Sequence, residues 1–228
     1  MSAKILTLAF LIKTLTDPVS NSILSTSEKL SQDFYQLPMS KNVILIFLVS
    51  ELLVYFTHRL LHECRILWSL GHVLHHTIKN FNVLNGARVS LLFAFTNFYL
   101  VLLALVFLNF DLQTSAIVFG ISFLIQAIAL HLPYFQEVKW IEYVFFTPRT
   151  HRFHHAKNSN CNFGGFLNIF DRLFGTYVPN LSKVEIGLNE DFKNENVLLY
   201  VFEDLARLSK EVINEKSFLT KIKLIFLK

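Results

Sequence analysis

The sequence predicts an all-α, integral-membrane helical bundle of three to four spans. Three observations carry that prediction. Hydrophobic residues make up 53% of the 228 and charged residues only 17%, against roughly 45–50% and 25% in soluble domains. Two long uncharged runs follow one another, Val89 to Phe110 with 22 residues and Leu112 to Leu130 with 19. All nine histidines lie between positions 58 and 155, in the segments that flank these runs.

The elements follow in chain order. The apolar segment Ile5 to Ile12 reads as an interfacial or partly inserted helix closed by Asp17-Pro18, and a Ser- and Asn-containing connector leads on to Lys41. A first span runs from Asn42 to Thr57 and is interrupted only by Glu51. Each of the two uncharged runs can cross a hydrocarbon core of about 30 Å as a helix. Together they form a hairpin with Asn109-Phe110-Asp111 at its tip, and Pro133 ends helical structure beyond it. From Glu195 to Glu215, Val197, Leu198, Val201, Leu205, Leu208 and Val212 recur at helical steps. This amphipathic helix is expected on the protein or on the headgroup layer. The apolar and basic end, Phe218 to Lys228, stops abruptly, as a cut tail would. Three regions result: residues 1–40, a core at 41–179 and a helical tail at 180–228.

Basic residues set the orientation. Arg59, Arg65, Lys79 and Arg88 stand against Glu63 between the first span and the hairpin. Lys139, Arg149, Arg152 and Lys157 stand against Glu137 and Glu142 after it, whereas the tip carries only Asp111. By the positive-inside rule the histidine-bearing segments face the cytoplasm. The net charge of +4 is spread along these flanks with no nucleic-acid recognition module, so attraction to anionic headgroups is the simpler account. Cys64 and Cys161 form no CxxC.

Eight histidines form three clusters: His58-x-x-x-His62, His72-x-x-His75-His76 and His151-x-x-His154-His155. Residues three and four apart share a helix face, so each cluster is expected to aim its imidazoles in one direction. Imidazole is the commonest protein metal ligand, and eight or nine nitrogens exceed one four-coordinate ion. They suit two ions side by side in a helical cap. His131 is the lone member, placed just after the hairpin. Glu51 lies seven residues before His58, on the same stripe, as an expected acceptor for a histidine N–H. The chain has no Glu-x-x-His pair and no H-E-x-x-H, which sets aside soluble di-iron bundles and zinc proteases. The ligand types alone permit zinc, iron, copper or nickel.

The three clusters in this order around a membrane hairpin resemble the fatty acid hydroxylase/sterol desaturase superfamily of membrane di-iron oxidases. Thr147-Pro-Arg-Thr-His151-Arg-Phe-His-His155-Ala-Lys-Asn158, then Asn162-Phe-Gly-Gly165 and Asp171-Arg-Leu-Phe-Gly-Thr-Tyr177, look like the C-terminal signature of its sterol C5-desaturase and alkylglycerol monooxygenase-like branch. Phe170, where relatives carry tryptophan, departs from it. The resemblance implies two iron ions and O2. It implies His58, His62, His72, His75, His76, His151, His154 and His155 as ligands, with His131 matching an additional histidine. Asn158, Asn162, Gly164, Gly165 and Asp171 match signature positions. The glycines are expected in turns, and Asp171 as an acceptor for a ligand's second N–H.

The implied activity is O2-dependent hydroxylation or desaturation of a lipid C–H bond in a fatty acyl chain, alkylglycerol or sterol. Electrons must come from outside, because the chain has no flavin, haem or iron–sulfur motif. A reductase, ferredoxin or cytochrome b5-like partner is implied. The alternatives are a lipid-aldehyde cleaving enzyme of the same architecture and a membrane metal-binding or transport protein.

Overall fold

The computed structural model describes residues 39–133, 139–179, 184–188 and 197–227. The segment at Ile5–Ile12 and most of its connector lie outside these residues. Among the described residues every regular element is helical, and β pairing is confined to the isolated bridges Phe145–Leu167 and Ala156–Ile186.

Helix α1 (Met39–Glu63) runs without a break through Glu51 and on through His58 and His62. Its buried stripe carries Ser50, Glu51, Tyr55, His58 and His62, while Ile44, Leu48, Phe56 and Leu60 point outward. The chain then turns through α2 (Arg65–Leu67), a π-helical turn at Trp68–His72 and α3 (Val73–His76).

The first arm of the hairpin is shorter than its uncharged run. It comprises α4 (Leu91–Ala94), a π-helical turn at Phe95–Tyr99 and α5 (Leu100–Phe107). Ser90 caps its start, accepting from the Phe93 N–H at 3.0 Å, and Asn109 ends it in a left-handed conformation, φ 64°. Asp111 then caps α6 (Leu112–Ala129), accepting from the Thr114 N–H at 2.7 Å.

The buried stripe of α6 is Ser115, Phe119, Ser122 and Gln126, and its outward residues include Ile117, Ile121, Leu124 and Ile128. Polar groups inside and branched aliphatics outside reverse the soluble pattern and suit a hydrocarbon surround. The α1 stretch Asn42–Glu63 and α6 are long and apolar enough to cross a membrane, and Leu91–Phe107 is apolar but shorter. The three pack around Ile46, Val54, Val101, Leu105, Phe110 and Phe119. Phe119 is fully buried and stacks on Phe98 at 5.4 Å. Truncating such a ring costs about 3–5 kcal/mol.

Beyond the hairpin come α7 (Lys139–Val144), α8 (Pro148–His154) and α9 (Ile169–Leu173). The amphipathic helix expected at Glu195–Glu215 is α10 (Val197–Asn214). It docks on the protein: Asp204 accepts from Ser69, and Glu211 accepts a forked pair from Arg65 at 2.8 and 3.2 Å. The apolar and basic end folds into a further helix, α11 (Phe218–Phe226), started by the Ser217 cap and lying against Cys64.

Candidate metal centre

All nine histidines are buried in one cluster. Their ring nitrogens form two groups of four, His58, His62, His72 and His154 in one, and His75, His131, His151 and His155 in the other, and a third group overlaps both by joining His76 to His154 and His155. Within each group the donor atoms lie within 4.8 Å of one another. Ligands across an ion at 2.0–2.1 Å are about 4 Å apart, so each group has the dimensions of one ion's shell. His76 stands between them. Its Nε2 is 3.1 Å from His72 Nε2 and 3.1 Å from His154 Nε2, and its ring stacks on His155 at 4.2 Å.

The clusters therefore do not each aim in one direction. His58 and His62 serve one group, but His72 and His75 fall in different groups of four, as do His154 and His151, while His154 and His155 meet again in the group with His76. Steps of three and four residues swing a side chain about 60° back and 40° forward around a helix. An H-x-x-H-H triplet is a fan of roughly 100°, wide enough to address two points. The π turn ending at His72 adds to this by resetting the register just before α3. His131, the lone member in the sequence, completes the second group at 3.2 Å from His151.

Tautomers follow from the backbone. His58 Nδ1 donates to the Phe163 carbonyl at 2.9 Å, His154 Nδ1 to Cys161 at 2.8 Å, His131 Nδ1 to Ala127 at 3.1 Å and His75 Nδ1 to Arg88 at 3.3 Å. A carbonyl only accepts, so these four rings carry their proton on Nδ1 and turn a bare Nε2 inward. Burial, reinforced by neighbouring imidazoles, holds His72, His75, His76, His151, His154 and His155 well below the usual range near 6.5. Burial also takes His131 down to about 4. Neutral rings are the ligating form.

Six Nε2···Nε2 contacts of 2.9–3.2 Å then remain inside the cluster. They have at most four protons to bridge them, one each on His72, His76, His151 and His155. At least two contacts set like groups against each other. Cations between the lone pairs remove that conflict, so the donor set fits two metal ions better than none.

The carboxylates act one step further out than expected. Glu51 touches no histidine: it accepts from the Phe166 and Leu167 N–H groups, from Gln126 Nε2 at 2.7 Å and from Ser122 at 3.3 Å. Asp171 accepts from the Phe163 and Gly164 N–H groups and from Thr176 Oγ1, each at 2.7 Å. Burial pushes its carboxyl above the usual range, and those three donors pull it back. Both acids clamp the 163–167 loop, whose Phe163 carbonyl holds His58. The physical reason is burial: a loop at this depth needs acceptors for its peptide N–H groups.

Neither Gly164 nor Gly165 has a positive φ, so a left-handed backbone is not what calls for glycine there. A Cβ on Gly164 would lie 2.5 Å from the Leu167 carbonyl oxygen and 2.8 Å from Asp171 Oδ2, and one on Gly165 would lie 2.5 Å from Gln126 Oε1. They are small because other groups approach them. Asn158 and Asn162 are the left-handed turn residues, φ 61° and 58°. Asn162 also pairs with the Val178 backbone in both directions, at 2.9 and 2.8 Å.

The cluster is approached from two sides. An apolar cavity between the hairpin and α1 reaches His58, His75, His131 and His151 past Val54, Phe93 and Phe123. A polar groove reaches His62 and His76 past Trp68, Asn158 and Ser159. Four carbonyl partners, Gln126 and Trp68 escaped the sequence reading. Backbone acceptors leave no mark in a sequence, but Ser115, Ser122 and Gln126 at helical spacing in an uncharged run were a legible polar stripe.

Comparison with known proteins agrees with this geometry. The chain is 34% identical over 150 residues to alkylglycerol monooxygenase of Danio rerio, covering 63% of this chain and 32% of that protein. It is 27% identical over 183 residues to alkylglycerol monooxygenase of Homo sapiens (79% and 40%). It is 31% identical over 187 residues to the ornithine lipid hydroxylase OlsE of Rhizobium tropici (79% and 56%). The chain thus spans between a third and somewhat over half of these curated relatives. No solved structure matches it. The fatty acid hydroxylase family model matches residues 43–176, more than half of the chain and the whole histidine cluster, and the chain belongs to that family.

Proposed function

We propose that this chain is a multi-pass membrane di-iron oxygenase that hydroxylates a lipid C–H bond, with its histidine cap on the cytoplasmic face. The observation that carries the reading is the pair of four-histidine groups around His76, opening on an apolar cavity that lies between apolar helices. The relatives named as a monooxygenase and a lipid hydroxylase favour hydroxylation over desaturation. The spans are the helices Asn42–Glu63 and Leu112–Ala129 together with the shorter Leu91–Phe107, and basic flanks at the histidine end support the orientation.

In this reading the nine histidines would hold two irons. Bound there, the irons supply the activation of O2 and the oxidation of the C–H bond. Overall, the substrate C–H bond, O2, two electrons and two protons give the alcohol and water. The protein's own part is placement. The carbonyls of Phe163, Cys161, Ala127 and Arg88 orient four rings, and Phe93 and Phe123 keep water from the lipid side. The polar groove past Trp68 is the route for protons and for contact with an external reductase, ferredoxin or cytochrome b5-like donor.

The test is lipid analysis of membranes from cells making the wild-type chain or His154→Ala, with iron counted in the purified proteins. We expect a hydroxylated lipid with the wild type alone, and about two irons per chain. Two zinc ions per chain with no change in any lipid would overturn the proposal.

A further inference from the structure

Gln126 lines a cavity, and among the described residues its hydrogen bonds all run from its Nε2 end. Its Nε2 donates to Glu51 Oε1 at 2.7 Å and to Ser122 Oγ at 3.0 Å. The carboxylate oxygen accepts and cannot donate there, so it settles which end of the amide is which. The Oε1 end is turned the other way, toward Gly165, where a Cβ would lie 2.5 Å from it. No hydrogen bond from a described residue reaches Oε1, although the side chain is 7% exposed. Asn97, on the same cavity wall, differs: it accepts from Thr57 Oγ1 at 3.1 Å and donates to the Phe93 carbonyl at 3.4 Å.

The place of that oxygen matters. Gln126 and Leu130 line both the cavity that reaches the histidines and a second apolar cavity of about 290 Å³ walled by Ile141, Phe145, Phe146 and Phe166. Gln126 stands at their junction. An aliphatic chain entering from the second cavity must pass it to reach His58 or His151. A carbonyl oxygen held in an apolar surround costs free energy until a donor meets it, and Gly165 keeps the space in front of it open.

We propose that Gln126 Oε1 is the acceptor for a hydroxyl or amide N–H of the lipid substrate, so that the chain selects lipids bearing a hydrogen-bond donor next to the aliphatic segment that is oxidised. This rests on the lipid-oxidase reading and deepens it. Ser122 and Glu51 hold the amide in place, Gly165 leaves it accessible, and the apolar walls take the chain on either side. An ether or ester lacking any donor leaves the oxygen unpaired and is discriminated against.

The experiment measures binding and turnover separately, on the full iron-loaded chain in detergent, with hexadecylglycerol and its di-O-methyl ether as probes. Displacement of a fluorescent alkyl probe reads binding. Wild type should bind the free diol about ten-fold more tightly than the ether, the size of one hydrogen bond made or lost. Gln126→Met should bring the two within about two-fold by weakening the diol alone. Gly165→Ala would put a Cβ 2.5 Å from Oε1, closer than to Cδ at 3.0 Å or Nε2 at 3.1 Å, so it crowds the oxygen most and should do the same, and it decides the matter if Gln126→Met does not fold. Equal binding of the two probes by wild type, binding of neither, or a preference that survives in Gly165→Ala would each overturn the proposal. Preferential binding without any oxidised product would instead count against the oxidase reading and leave the acceptor role standing.

Discussion

Replacing Asp171 by asparagine tests whether a carboxylate that touches no histidine nonetheless governs the metal centre. Its two oxygens accept three hydrogen bonds of 2.7 Å, from Phe163 N, Gly164 N and Thr176 Oγ1, in a fully buried site. Asparagine offers one acceptor oxygen and two donors. In its better orientation the oxygen keeps Phe163 and Thr176, and the amide NH2 faces the Gly164 N–H. One charge-assisted bond, worth about 1.5–3 kcal/mol, is lost outright. The other two fall to neutral strength, about half of what they were. The sum is about 3–6 kcal/mol against the fold. The local consequence is specific. The Phe163 peptide is held by Asp171 on its N–H side and holds His58 on its carbonyl side, so the ring loses its alignment. Outer partners of metal ligands are worth about 10–100-fold in metal affinity. Chelator competition on the purified protein, alongside chemical denaturation, measures both quantities. An Asp171→Asn protein that keeps iron as tightly as wild type would refute the reasoning, even if its stability falls.

Other predictions address the packing and the two groups. Gly86 lies against the Ala127 carbonyl, which also accepts from His131. Gly86→Ala should therefore cost at least about 3 kcal/mol by overpacking and backbone shift, read by denaturation, and should lower metal content; a wild-type melt would contradict it. His131→Ala removes a member of one group only. Elemental analysis should fall from about two irons per chain toward one, and loss of both or of neither would count against the division drawn here.

Much of the site was legible because it is local. Metal-binding residue types, their spacing and their placement after long apolar runs sit in contiguous segments, and helical geometry carries such spacing into space without knowledge of the rest of the fold. The hairpin, its tip at Asn109-Asp111 and the α10 helix were readable for the same reason. The roles of Glu51 and Asp171 were not. Stripe position puts Glu51 on the side of His58, but its partners, Phe166 and Leu167, are more than a hundred residues away. No periodicity reports such a contact.

The sequence by itself determined which atoms could bind metal and that they gather beside apolar helices. Only the tertiary structure decided how the nine rings divide. His76 meets His154 across 78 residues and His155 meets His75 across 80, and a helical triplet fans its rings too widely for spacing alone to say which ring joins which group. The same folding brought four carbonyls behind the rings, two carboxylates behind a loop, and the open end of Gln126 to the junction of two cavities. Each is a contact between segments distant in the chain, made by packing.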